Sequence, residues 1–322
     1  MNNYHLYEEI GHGKHSTVYK GRRRGTIEYV AIKSVDKSKR SRVLNEVSIT
    51  SNLSLSESTN ICSLSNWYET RNHLWIVAEY CAGGDLARVM KQDERIKPES
   101  QLKNLAIEIV NGLIHLHANG IVFADLKPSN ILFTESGQIK LSGFSVSQKL
   151  GDLQSALKNN QQVPRRGSPF YMAPELFLET GCHSFASDLY ALGVVLFEMA
   201  TGKTPYSACS TFADLQRSVV AHSVLTPELN EGSEELRHLV GRLLVKDPCD
   251  RIGWTELIDH PWWREGSLPA DLMSEWKSLV ERRIAEHDNV FRDTFLATRV
   301  SRRRGISQDR TTYNRLSRQT RE

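Results

Sequence analysis

Residues 123–133 read FADLKPSNILF. Asp125, Lys127 and Asn130 stand at D-x-K-x-x-N spacing, in a loop that ends in an apolar strand. The spacing gathers a carboxylate that can take a proton, a cation that can meet a phosphate and an amide that can ligate a metal. That is the equipment of phosphoryl transfer. Upstream lies IGHGKHSTVYKG (10–21), where Gly11 and Gly13 let backbone N–H groups approach phosphates closely. Taken alone, this stretch fits a plain hairpin turn better. VAIK (30–33) follows at the distance that lets Lys33 reach the α- and β-phosphates of a nucleotide. Glu46 then falls on a predicted helix, placed for a charge-assisted pair with Lys33, though chance also supplies such spacings. Downstream come KLSGFSVSQ (140–148), GSPFYMAPE (167–175), SDLYALG (187–193) and KDPCDRI (246–252). Separate loops do not fall into this order by accident.

The composition is that of a globular chain. In 322 residues, 39% are hydrophobic and 25% charged, enough for one large two-lobed domain or two small ones. A net charge of +3 does not argue for nucleic acid. The longest apolar run, LYALGVVLFEMA (189–200), suits a buried helix and is too short to span a bilayer, so no membrane role is expected. MNNYHLYEEI has neither the basic nor the apolar region of a secretion signal. Five cysteines, an odd number without a C-x-x-C pair, read as reduced thiols of a cytoplasmic protein. Strand-like alternation dominates residues 4–80, and helical periodicity takes over from Leu86. Leu102, Leu105, Ile109, Leu113 and Leu116 form one stripe that stops at Gly120. Leu272, Trp276, Leu279, Val280 and Ile284 form another. Beyond residue 297 eight arginines face only Asp309 and Glu322. That composition cannot build a core and predicts a disordered basic tail, suited to an acidic surface.

In this order the motifs resemble those of eukaryotic protein kinases over residues 4–263. More narrowly, YEEIGHGKHSTVYKGRRRGTIEYVAIKSVDKSKR (7–40), WYETRNHLW (67–75), EYCAGGDL (79–86) and HSFASDL (183–189) resemble the Fused-type branch of the Unc-51-like kinases. The resemblance implies an α+β, bilobal kinase-like domain over 1–263, with a small β-rich N-lobe (1–80) and a larger helical C-lobe (82–263). An amphipathic helical extension (264–296) and the basic tail (297–322) follow. It also implies site roles. Ile10, Gly11, Gly13 and Val18 would cover the nucleotide, and Ala31 and Leu132 would sandwich its adenine. The backbones of Glu79 and Cys81 would bond the adenine edge, and Asp85 would accept from the ribose. Phe123, Thr50, Leu64 and Phe144 would stack as one apolar spine. Glu175 would pair with Arg251, and Asp188 would brace the catalytic loop. The implied partners are proteins, such as another Fused-type kinase or microtubule-associated proteins, and the implied setting is the cytoskeleton, cilium or flagellum.

The departures from the family pattern set the functional expectation. Where the family carries D-F-G, this chain has Gly143-Phe144-Ser145. The carboxylate that bridges Mg²⁺ to the phosphates is missing. Metal charge stabilisation is worth several kcal/mol, so its loss costs on the order of a thousandfold or more in rate. Asn130 is a poor substitute, because Mg²⁺ prefers carboxylates. Ala124 replaces the arginine that would receive a phosphorylated activation loop. The expectation is a pseudokinase with no metal site, binding ATP without a divalent ion while Lys33 and Lys127 offset the triphosphate charge. A weakly active Ser/Thr kinase and a nucleotide-free adaptor remain as alternatives.

Overall fold

The alternating runs of the first eighty residues become a five-stranded antiparallel sheet. The computed structural model describes residues 3–13, 15–53, 58–159, 161–179, 181–221, 229, 232–263 and 269–289. Its strands are β1 (Tyr4–Gly13), β2 (Ser16–Arg23), β3 (Tyr29–Asp36), β4 (Leu64–Glu69) and β5 (His73–Glu79), in the order β1-β2-β3-β5-β4. Register decides what each face carries. Val18 pairs with Lys33, Ala31 with Ala78 and Lys33 with Ile76, so these side chains share one face. Val30, Ile32 and Val77 point the other way and pack with Tyr4. Helix α1 (Arg40–Leu53) covers the far end of the Lys33 face, where Val43 packs with Val35, Leu74 and Ile76. The covered end leaves the Val18–Ala31–Ala78 end of the same face to border a cleft.

Below the sheet the chain turns helical. Asp85 ends the short strand β6 (Gly84–Asp85) and caps α2 (Leu86–Asp93), its Oδ1 accepting from the Arg88 N–H at 2.8 Å. Helix α3 (Glu99–Ala118) follows, and Gly120, at φ +67°, turns the chain out of it. The short strands β7 (Ile121–Val122), β8 (Ile131–Phe133), β9 (Ile139–Leu141) and β10 (Gln148–Lys149) frame the loop 123–130, and α4 (Leu150–Lys158) extends from β10. Helix α5 (Phe185–Thr201) contains the apolar run noted above and lies almost wholly inside the lobe. Ser184 and Ser187 form a reciprocal capping box at its start, and Gly202 at φ +79° closes it. Helices α6 (Phe212–Ala221), α7 (Glu234–Leu243) and α8 (Trp254–Ile258) complete the lobe. Among the described residues no helix is long and apolar enough to cross a membrane.

Helix α9 (Ala270–Leu279) runs on through a π-helical turn, Val280–Ile284. Its stripe docks on the C-lobe: Trp276, Val280 and Ile284 are buried in the main core, with Leu272 and Leu279 half-buried against it. The expected basic tail, with its eight arginines, lies outside the described residues.

A half-buried carboxylate joins three segments of the C-lobe. Glu99 accepts from the Ser233 N–H and hydroxyl and from Trp262 Nε1, each at 2.7 Å. Burial works to raise its pKa, but these bonds outweigh it and hold the carboxyl below its ordinary value of 4.5. A depressed folded-state pKa contributes stability above about pH 4.5 that is lost as pH falls through the folded value. The melting-temperature gap between the parent and Glu99→Gln should therefore hold steady above about pH 5 and shrink below it. A gap that stays constant down to pH 3.5 would contradict this assignment.

Candidate functional site

The sheet register delivers the first pair. Lys33 Nζ lies 2.9 Å from both carboxylate oxygens of Glu46, joining β3 to α1 in a charge-assisted contact. The glycine-bearing hairpin lies over the same face: Gly11 pairs with Val18 and Gly13 with Ser16. Neither glycine has positive φ. A Cβ at Gly13 would lie 2.9 Å from Ser16 Oγ, the end of a side chain that can rotate aside, so close approach does not by itself demand glycine there. Ile10 is exposed at the edge of this hairpin. Ala31 sits opposite Ala78 at the hinge end, and Leu132 is half-buried on β8, paired with Asp85 on one side and Lys140 on the other. The sheets thus bring Val18, Ala31 and Lys33 together above, and Leu132 and Asp85 together below. Glu79 and Cys81 stand on the connection between the lobes. The Glu79 carboxylate is engaged by Lys140 at 3.2 Å and by the Ser63 N–H and hydroxyl. The Asp85 carboxylate is likewise used, as the α2 cap.

The catalytic loop is held from beneath by Asp188. Its Oδ2 accepts from the Phe123 N–H at 2.7 Å and its Oδ1 from the Ala124 N–H at 2.8 Å, while His117 Nε2 lies 2.9 Å away. This grip keeps Ala124 at φ +67°, a left-handed backbone that costs a non-glycine residue about 1–3 kcal/mol and survives only where neighbours impose it. Arg251 and Glu175 form the expected buried pair, with Nη1–Oε1 at 2.9 Å and Nη2–Oε2 at 2.8 Å. Phe123 and Phe144 are buried, with ring centroids 5.3 Å apart, in the cluster that holds Ile49 and Leu53 of α1. Leu64 on β4 is half-buried against the sheet-side cluster of Val43 and Ile76, on the face covered by α1, the helix that also carries buried Thr50.

Asp125, Lys127 and Asn130 do come together, chiefly with one another. The Asp125 carboxylate accepts from the Ser168 N–H at 2.8 Å and from Asn130 Nδ2 at 3.1 Å, and it pairs with Lys127 at 3.0 Å. Lys127 also donates to Ser168 Oγ at 2.6 Å, and Asn130 Nδ2 to the Asp125 carbonyl at 2.8 Å. Gly143 has φ +87°, and a Cβ built there would lie 2.8 Å from Asn130 Oδ1 and 2.9 Å from its Cγ. The amide occupies the space that any side chain at 143 would enter. For the Mg²⁺ that the kinase fold implies, the donor set does not fit: one amide oxygen faces a glycine, and the neighbouring carboxylate is already engaged by three donors.

Two contributors had no sequence signal. The Ser168 backbone N–H acts through position, not residue type, and Lys140 stands in an ordinary strand. Nearby, His183 is buried, which lowers its pKa, and its Nε2 bonds the Arg166 carbonyl at 2.7 Å. Burial and the Glu198 carboxylate push the Tyr171 phenol up, so it stays protonated and donates to Glu198 Oε2 at 2.7 Å. Both contacts fasten the segment that carries Ser168 to the start and body of α5.

Known proteins show the same pattern. Residues 4–263 match the protein kinase domain family. The chain is similar to the serine/threonine-protein kinase RUNKEL of Arabidopsis thaliana, 48% identical over 265 residues, which covers 82% of this chain and 19% of that protein. It is similar to the serine/threonine-protein kinase ULK4 of Mus musculus, 37% identical over 301 residues, covering 86% of this chain and 22% of that protein. It is also similar to serine/threonine-protein kinase 36 of Pongo abelii, 33% identical over 269 residues, covering 81% of this chain and 19% of that protein. The chain spans about a fifth of the length of these relatives. A sheet that pairs Lys33 with Glu46 above a braced Asp125 loop agrees with these matches, and the chain belongs to the protein kinase domain family, within which it resembles the Fused-type Unc-51-like kinases.

Proposed function

We propose that this domain is a pseudokinase that binds ATP as a structural ligand without a divalent metal and serves as a scaffold for protein partners. The observation that carries the reading is Gly143, which has no carboxylate and whose side-chain space is taken by the Asn130 amide. Lys33 and Lys127 are the cations that would meet the phosphates. Each already holds a carboxylate, Glu46 and Asp125 respectively, so each presents a partly neutralised charge, and the affinity on this reading is modest. The scaffold side rests on how firmly α1 is fixed. Besides the Lys33–Glu46 pair, Asn45 Nδ2 donates to the Ser147 carbonyl at 2.8 Å, and Lys149 donates to Ser48 at 3.1 Å. Ser147 Oγ in turn donates to the Phe123 carbonyl at 2.8 Å. These bonds join α1, the segment after Gly143 and the catalytic loop in one closed arrangement, a constant surface for a partner. Cytoskeletal or ciliary partners belong to this proposal as well.

The test is a thermal shift of the full chain with ATP and a chelator. A ligand that binds only the folded state contributes about 2.7 kcal/mol at a hundred times Kd, a rise of several degrees for a domain of this size. That rise is expected with ATP plus chelator, and Mg²⁺ should add little. Lys33→Met should remove most of it, because the substitution deletes a cation and leaves Glu46 facing the phosphates. A shift that appears only with Mg²⁺ would overturn the metal-free reading. It would favour the second reading, a weakly active Ser/Thr kinase, which the closed Lys33–Glu46 pair and the placed Asp125 recommend. Transfer of labelled phosphate to a protein substrate, abolished by Asp125→Asn, is the result that reading requires.

A further inference from the structure

A small cavity lies behind the catalytic loop, between it and the start of α5. Ala124, Asp125, Ser168, Tyr171, His183 and Asp188 are among the residues that line it. The space open to the centre of a water molecule is about 10 Å³, room for one and for nothing larger.

Two buried acceptors border this space without a donor. His183 supplies the first. Its Nε2 lies 2.7 Å from the Arg166 carbonyl, and a carbonyl only accepts, so Nε2 carries the ring proton. Burial favours the neutral ring, which leaves a lone pair on Nδ1. That buried atom has no partner among the described residues. The second is the Ala124 carbonyl. Its residue is buried and held at φ +67°, and among the described residues no main-chain N–H reaches this oxygen. Gly167 lies between the two. A Cβ built there would be 2.9 Å from the Ala124 oxygen and 3.9 Å from His183 Cε1, the atom next to Nδ1.

The side chains around the cavity do not meet this demand. The Tyr171 hydroxyl gives its proton to Glu198, and the Ser187 hydroxyl gives its own to the Ser184 carbonyl. Asp125 and Asp188 are acceptors, each already engaged by three donors. Ser168 Oγ accepts from Lys127 and keeps its own proton to give. Native proteins rarely leave a buried acceptor without a donor.

We infer that one structural water molecule is bound here, donating to His183 Nδ1 and to the Ala124 carbonyl and accepting from the Ser168 hydroxyl. Water brings two protons for the two acceptors and a lone pair for the hydroxyl, within the three bonds typical of a buried water. A metal cation suits the site less well. Hard cations take oxygen ligands, and no group of three metal-ligating side chains lies together among the described residues. Asp188 already grips the Ala124 N–H. The water adds a hold on the carbonyl, so the strained residue is fixed from both sides.

The full chain is crystallised near neutral pH without nucleotide, and the density is inspected at high resolution. A rounded peak about 2.7–3.2 Å from both His183 Nδ1 and the Ala124 oxygen is the expected result. Nitrogen-15 NMR should find His183 neutral, with its proton on Nε2. In Gly167→Ala the methyl group should take the water's place, so the peak should vanish and the melting temperature fall. His183→Phe keeps a ring but removes the acceptor, and should also lose the peak. The parent protein suffices if neither variant folds. No peak there, a peak at the roughly 2.0–2.6 Å of a metal ion, or a proton on Nδ1 would each overturn the proposal. So would a peak that persists in Gly167→Ala. The readout is made without nucleotide, so it stands or fails independently of ATP binding.

Discussion

Arg251→Ala should leave this domain largely unfolded near physiological temperature. The Arg251 guanidinium is buried and makes two parallel bonds to Glu175, and it also donates to the carbonyls of Ala186, Val245 and Lys246. Removing it strands a buried carboxylate and leaves three carbonyls without this donor. Breaking a buried pair from one side costs roughly 3–5 kcal/mol, a large share of the 5–15 kcal/mol that holds a typical protein folded. Arg251→Lys should recover little, since an ammonium cannot bond both carboxylate oxygens and the carbonyls from one place. The measurement is the urea midpoint at constant slope. A midpoint for Arg251→Ala within error of the parent would refute the account. The pair joins the segment after Gly167 to the end of the C-lobe, so its loss should also release Ser168 from Asp125. Hydrogen exchange at the Ser168 amide would report that release.

Trp276→Ala should be nearly as damaging, although the residue lies beyond the stretch that matches the kinase family. Trp276 is fully buried, packs edge-on against Trp263 with centroids 6.0 Å apart, and donates to Asn111 Oδ1 at 3.0 Å. Asn111 in turn donates to Asn60 Oδ1 at 2.7 Å, and Asn60 donates to the Ile139 carbonyl at 2.9 Å. A buried polar chain thus runs from α9 through α3 to the segment before β4 and on to β9. Truncating a buried tryptophan costs about 3–5 kcal/mol through lost contacts and the cavity left behind. Trp276→Phe separates the contributions. It keeps most of the packing but leaves the Asn111 oxygen short of a donor, and should cost about 1–3 kcal/mol. Equal losses for the two variants would mean that packing contributes little, and the bond to Asn111 nearly everything. Thermal melting of parent, Phe and Ala variants should therefore give three separated transitions in that order.

Much of the site is legible in the chain because its residues are close in sequence or fixed by type. Asp125, Lys127 and Asn130 share one loop, and only a cation at 33 and a carboxylate at 46 can make that pair. The fold class follows from alternation giving way to helical periodicity, which is a property of local spacing. The missing carboxylate at 143 is likewise a matter of residue identity. What a motif cannot state is who has already bonded to whom. Asp125 is an acceptor already engaged by an amide, an ammonium and the N–H of Ser168, forty-three residues away. Asn130 fills the space beside Gly143, and Trp276 reaches Asn111 across the lobe. Each of these depends on distances between segments remote in sequence, set by sheet register and by helices packed in three dimensions. Residue type determined which interactions this protein is able to make. Tertiary packing decided which partners each group found, because a hydrogen bond or an ion pair is made only at about 3 Å, and the linear order of the chain does not encode that separation.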